Sequence, residues 1–105
     1  MKTCDLAILN PLGMHARAAA KFVHTAGAFA ARIRVARGER EVDGKSIMGL
    51  LLLAAASGSR IRISADGADE DQAIAALCAL VERGFDETRP SDEPRDSAEE
   101  KNPCN

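Results

Sequence analysis

Two periodicities take turns along this chain, and each switch between them marks an element. Cys4-Asp5-Leu6-Ala7-Ile8-Leu9 alternates, which predicts a strand with Leu6 and Ile8 inward that ends at Asn10-Pro11. From Ala16 to about Ala28 the apolar spacing lengthens to that of a helix. Ala19, Phe22, Val23 and Ala26 fall on one side, and Arg17, Lys21 and His24 on the other. Arg32-Ile33-Arg34-Val35 alternates again, Arg37-Gly38 supplies a turn, and Arg40-Glu41-Val42 returns as a shorter strand to close a hairpin.

Asp43-Gly44 turns the chain into Lys45–Leu53, which reads as a short helix with Ser46 at its N-cap. The apolar run from Ile47 to Leu53 goes more than once round a helix, so part of it must stay exposed. After Ser57-Gly58, the stretch Ser59–Ala65 is a strand with Ile61 and Ile63 inward. A last helix begins at Asp69-Glu70-Asp71, carries Ile74, Leu77, Cys78 and Val81 as its apolar stripe, and closes at Arg83-Gly84. Strands with one polar and one apolar face require a sheet wet on one side, which favours antiparallel pairing over a doubly wound parallel sheet. From Thr88 onward there is almost nothing to bury, so the expected organisation is a domain over 1–87 and a charged, disordered tail over 88–105.

Composition narrows the function classes. The 105 residues are 46% hydrophobic without Trp or Tyr, which fits one small domain with an aliphatic core. The tail holds three basic and five acidic residues and therefore the whole formal charge of −2, so the domain itself has no general attraction for nucleic acid. Arg32, Arg34, Arg60 and Arg62 lack interleaved aromatics and are diluted by Glu39, Glu41 and Asp43, as on a solvated sheet face. The start of the chain lacks the apolar segment of a signal peptide, and Leu50–Ala56 is too short to span a bilayer, so a cytoplasmic protein off the membrane is expected. Cys4, Cys78 and Cys104 form no paired metal-ligand or redox motif; the first two read as buried free thiols, and Cys104 as a tail thiol open to intermolecular oxidation.

The chemistry concentrates at His15. Pro11 and Gly13 break the preceding apolar run and helix formers begin at Ala16, so the first helix N–H groups lie just after His15. Those groups attract anions, an imidazole is a nucleophile near neutral pH, and Arg17 can hold phosphate oxygens. Together they describe a phosphorylatable histidine, although a His two residues before an Arg is common on protein surfaces. Ser46 has two readings, a helix cap or a phosphorylation site at a helix N-terminus. His24 reads as an exposed surface residue.

Gly13-Met14-His15-Ala16-Arg17-Ala18-Ala19 and Lys45-Ser46-Ile47-Met48-Gly49-Leu50 resemble the two signatures of the HPr family of histidine-containing phosphocarriers, at the separation found there. The resemblance implies an α+β open-faced β-sandwich, in which a four-stranded antiparallel sheet has three helices on one face. It implies that His15 receives a phosphoryl group from Enzyme I and donates it to a histidine of an enzyme IIA protein, with Arg17 holding the group. Ser46 would be a regulatory site acted on by a serine kinase/phosphorylase. Ile47, Met48, Leu51 and Leu52 would lie on the partner-docking surface. The expected protein is a monomeric, stoichiometric carrier and not an enzyme, with no metal and no cofactor.

Ala18 departs from the pattern, since many members carry proline there; alanine is compatible with a first helical turn and adds one N–H donor. Ala18 and the Ser46–Leu50 sequence lean toward a nitrogen-regulatory branch over a sugar branch. The alternative is a binding module of the same fold that transfers no phosphate, and a stand-alone hydrolase is disfavoured because no second acid, base or metal cluster accompanies His15.

Overall fold

The computed structural model describes residues 1–53 and 55–85. The predicted tail and Cys104 lie outside the described residues. The elements run β1 (Lys2–Ala7), α1 (Ala16–Ala26), β2 (Arg32–Arg37), β3 (Arg40–Asp43), α2 (Ile47–Leu53), β4 (Arg60–Asp66) and α3 (Glu70–Glu82). Their order matches the sequence reading, with boundaries displaced by at most two residues.

Four antiparallel strands form one sheet in the order β1-β4-β2-β3. The central strands β4 and β2 pair Ile63 with Val35 and Ala65 with Ile33, which sets their apolar side chains in one layer. Leu6, Ile33, Val35, Ile61, Ile63 and Ala65 are buried on that face. The other face carries Asp5, Arg34, Glu41 and Arg62, joined by ion pairs from Arg62 to Asp5 at 2.9 Å and from Arg34 to Glu41 at 3.1 Å. Arg34 and Arg62 on this wet face are thus neutralised by neighbouring carboxylates.

The three helices cover the apolar face. α3 lies over β1 and β4, α2 over β2 and β3, and α1 packs against both helices. Phe22 of α1 and Leu77 of α3 are fully buried there, and each such side chain stabilises the fold by about 1.5–3 kcal/mol. The apolar stripe of α3 is rotated from the expected one. Ala73, Leu77, Leu80 and Val81 are buried, whereas Ile74 and Cys78 pack only partly against the core.

α3 ends as expected, with Gly84 at φ +69°, and the Phe85 N–H bonding back to the Leu80 carbonyl and that of Gly84 to Val81. This turn drives Phe85 into the core, where it is 1% exposed. At the other end Asp69 does not cap its own helix. Its carboxylate instead accepts the N–H groups of Ala30 and Ala31 at 2.8 and 2.9 Å, tying the loop before β2 to the start of α3. Glu70 accepts from Gly67 N–H and pairs with the N-terminal amine.

Cys4 of β1 and Cys78 of α3 are half-buried and not fully enclosed as the sequence suggested, and they stand side by side across 74 residues, with Cα atoms 7.1 Å apart, so a disulfide between them needs a small backbone movement. Helix packing on the sheet brings them together, which spacing along the chain does not reveal.

Candidate functional site

The loop from Leu9 to Met14 is built before the helix that follows it. Asn10, 3% exposed, donates from Nδ2 to the Gly13 carbonyl at 2.8 Å, and its own carbonyl accepts the Gly13 N–H at 3.1 Å. Gly13 is at φ +69°, a conformation that costs a side-chain-bearing residue about 1–2 kcal/mol. The turn is then pinned from outside, because Met14 N–H donates to the Ala55 carbonyl at 2.8 Å. Met14 is itself buried, so the chain enters α1 at a defined point and direction.

His15 occupies the N-cap position of α1, in extended backbone at φ −91° and ψ 179°. Its carbonyl accepts the first helical bond, from Ala19 N–H at 2.8 Å. The N–H groups of Ala16, Arg17 and Ala18 therefore stand at the positive end of the helix, beside the half-exposed imidazole. Arg17 is exposed and Ala18 buried, with regular helix at the position where alanine replaces the expected proline. The first turn is thus compatible with alanine.

Ser46 is the N-cap of α2. Its Oγ accepts the Gly49 N–H at 3.0 Å, which makes the capping reading true whatever else the residue does. A side chain at Gly49 would begin 3.3 Å from both Ser46 Oγ and Val42 Cβ, so glycine leaves room for the cap against β3. The far end of α2 is held by two arginines that the sequence reading did not assign. Arg37 Nε donates to the Leu53 carbonyl at 2.9 Å and Arg40 Nη1 to that of Leu52 at 2.7 Å. α2 is about 10 Å long, so Ser46 sits roughly that far from the end that leads to Ala55 and the His15 loop.

Between these caps the apolar run splits as its periodicity requires. Leu50 and Leu53 are fully buried, whereas Ile47, Met48, Leu51 and Leu52 are 42, 66, 36 and 62% exposed. Leu12, in the turn before His15, is also an exposed apolar residue, at 69%. Sequence pattern did not single it out, nor Asn10, because neither belongs to a periodic element. His24 is exposed on α1, about two and a half turns from His15. Among the described residues no group of His, Cys, Asp or Glu is arranged to hold a metal ion, and no helix is long and apolar enough to cross a membrane.

Comparison with known proteins agrees with this arrangement. Residues 2–83 match the family model described as the PTS HPr component phosphorylation site. The chain is 47% identical over 83 residues to a phosphocarrier protein HPr of Cupriavidus necator, covering 79% of this chain and 93% of that one. It is 43% identical over 83 residues to a phosphocarrier protein NPr of Shewanella violacea, covering 79% of this chain and 91% of the relative. The crystal structure of HPr-C-His from Thermoanaerobacter tengcongensis superimposes with a TM-score of 0.81 at 43% identity, over 85% of this chain and all of that one. With the open four-stranded sheet, the three covering helices and the histidine-led helix in place, this chain belongs to the HPr family, the phosphocarriers of the phosphotransferase system.

Proposed function

We propose that His15 is the residue that carries the phosphoryl group, taking it from phospho-Enzyme I and giving it to a histidine of an enzyme IIA protein. The observation that carries this reading is the place of His15 at the N-cap of α1, half-exposed, with helix N–H groups beside it and Arg17 two residues on. In the forward step an unprotonated imidazole nitrogen attacks phosphorus in line as the bond to the donor nitrogen breaks. The phosphoryl group moves, and the donor histidine recovers its electron pair.

Charge spreads over three phosphoryl oxygens during transfer, and the first-turn N–H groups and the Arg17 guanidinium, two residues on, are the donors available to meet it. Because the group must leave again, this stabilisation serves best when moderate. A rigid entry to α1 keeps the geometry the same for donor and acceptor. That is the role of the Asn10–Gly13 contacts and the Met14–Ala55 bond.

Ile47, Met48, Leu51 and Leu52 form the surface that both partners cover. Ser46, at the edge of that surface, is a regulatory site, since a phosphate there keeps an acceptor at the helix N-terminus but sets charge against the docking partner. Relatives named both HPr and NPr match this chain, so the accepting IIA protein identifies the branch.

The experiment is incubation with Enzyme I and phosphoenolpyruvate, followed by intact mass and a test of acid lability, beside His15→Ala. One acid-labile phosphoryl group, absent from the variant, establishes the carrier. No mass gain with an active Enzyme I returns the chain to a binding module of the same fold.

A further inference from the structure

Between α1 and α3 runs an open groove of about 420 Å³, next to the proposed phosphoryl site. Arg17, Lys21, His24 and Arg83 line it over Ala20 and Leu80, and among the described residues no carboxylate lines it. Arg17, Lys21 and His24 follow one another at helical spacing along a single face of α1. On the open sheet face Arg34 pairs with Glu41 and Arg62 with Asp5.

The last described residue lies beside this groove, because Lys21 Nζ donates to the Phe85 carbonyl at 3.0 Å. Residues 86–101 carry seven carboxylates and three cations, whereas residues 1–85 carry nine carboxylates and eleven cations. Arg17 lies about 6 Å from Lys21 along the helix, and an extended chain advances at most about 3.6 Å per residue. Asp92 and Glu93 therefore reach every cation of the groove with chain to spare.

We propose that the acidic segment 86–100 docks in this groove and competes with the phosphoryl donor for the surface around Arg17. The competition rests on the reading of Arg17 as a phosphate-holding residue; the docking does not. Tethering this close gives an effective concentration in the millimolar range, so weak, solvent-screened pairs suffice for partial occupancy. Salt should release the segment, because the pairs are exposed.

The test compares the full chain with a full-length variant in which Asp92 and Asp96 become Asn, and Glu93, Glu99 and Glu100 become Gln. These positions are remote in sequence from the groove. At low salt the backbone amide spectra of the two proteins should differ at Arg17, Lys21, His24 and Arg83, and converge in about 1 M salt. The neutralised variant should accept phosphate from phospho-Enzyme I with a KM lowered about 3-fold to 10-fold and kcat unchanged. Identical spectra across the groove, or differences at Arg60 and Arg62 instead, overturn the docking. Groove differences with an unchanged KM overturn the competition. Failure of His15 to take phosphate at all overturns the functional reading and leaves the spectral result standing.

Discussion

A side chain at Gly13 would begin 2.7 Å from the carbonyl oxygen of Ala55, the same oxygen that accepts the Met14 N–H at 2.8 Å. The two loops that meet at α1 are therefore fitted backbone to backbone, with no space for a methyl group between them. Gly13→Ala should lower stability by about 2–4 kcal/mol, combining left-handed strain with displacement of the Ala55 backbone. It should also slow phosphoryl transfer by misaiming His15. Gly38→Ala is the control, since Gly38 has φ +63° with nothing within 4 Å and carries strain alone, about 1–2 kcal/mol. Urea denaturation of both variants separates the terms, and equal losses would show that the Ala55 contact yields.

Ser46→Ala should cost about 1 kcal/mol, because the Gly49 N–H at the start of α2 loses its acceptor. Ser46→Asp keeps an acceptor and should retain most of that stability while slowing transfer from phospho-Enzyme I through charge at the docking surface. Denaturation and transfer kinetics on the pair separate cap from charge. Unchanged transfer in Ser46→Asp would remove Ser46 from regulation.

Acid should loosen the junction at the start of α3. The N–H groups of Ala30 and Ala31 hold the Asp69 carboxyl below its ordinary pKa, with Ala30 the largest influence. The Gly67 N–H, followed by the N-terminal amine, does the same for Glu70. A carboxylate depressed in the folded state contributes stability that is fully present above its unfolded pKa, about 4, and is lost as pH falls through the lower folded value. Thermal midpoints measured from pH 5 downward should therefore decline, and Asp69→Asn should start lower and decline less steeply. An acid limb unchanged by Asp69→Asn would exclude this contribution.

Cys4 and Cys78 should be the pair that closes under a mild thiol oxidant. Peptide mapping without reductant should recover the fragment from β1 joined to the fragment from α3, with Cys104 alkylated. Ready alkylation of all three thiols after oxidation would refute the pairing. Cys4→Ser should leave Cys78 fully reactive.

Local pattern alone determined the seven elements, their order, and the two faces of each strand. Side-chain direction follows directly from backbone period, so Leu6, Ile33, Val35, Ile61 and Ile63 were legible as inward residues without any tertiary knowledge. The position of His15 at a helix start was legible for the same reason, since Pro11, Gly13 and the following alanines punctuate the chain locally. Exposure within Ile47–Leu53 followed from the circumference of a helix.

The strand order β1-β4-β2-β3, the Met14–Ala55 bond, the reach of Asp69 to Ala30 and Ala31, and the meeting of Cys4 with Cys78 were decided only by tertiary structure. Each joins residues many positions apart, and no repeat in the sequence encodes a contact that depends on how whole elements pack. The same holds for Arg37 and Arg40, which read as a turn and a strand arginine until the hairpin is laid beside α2 and its last carbonyls become their acceptors. Periodicity specifies which way a side chain points; what it meets there is set by the shared burial of apolar faces, which belongs to the whole chain at once.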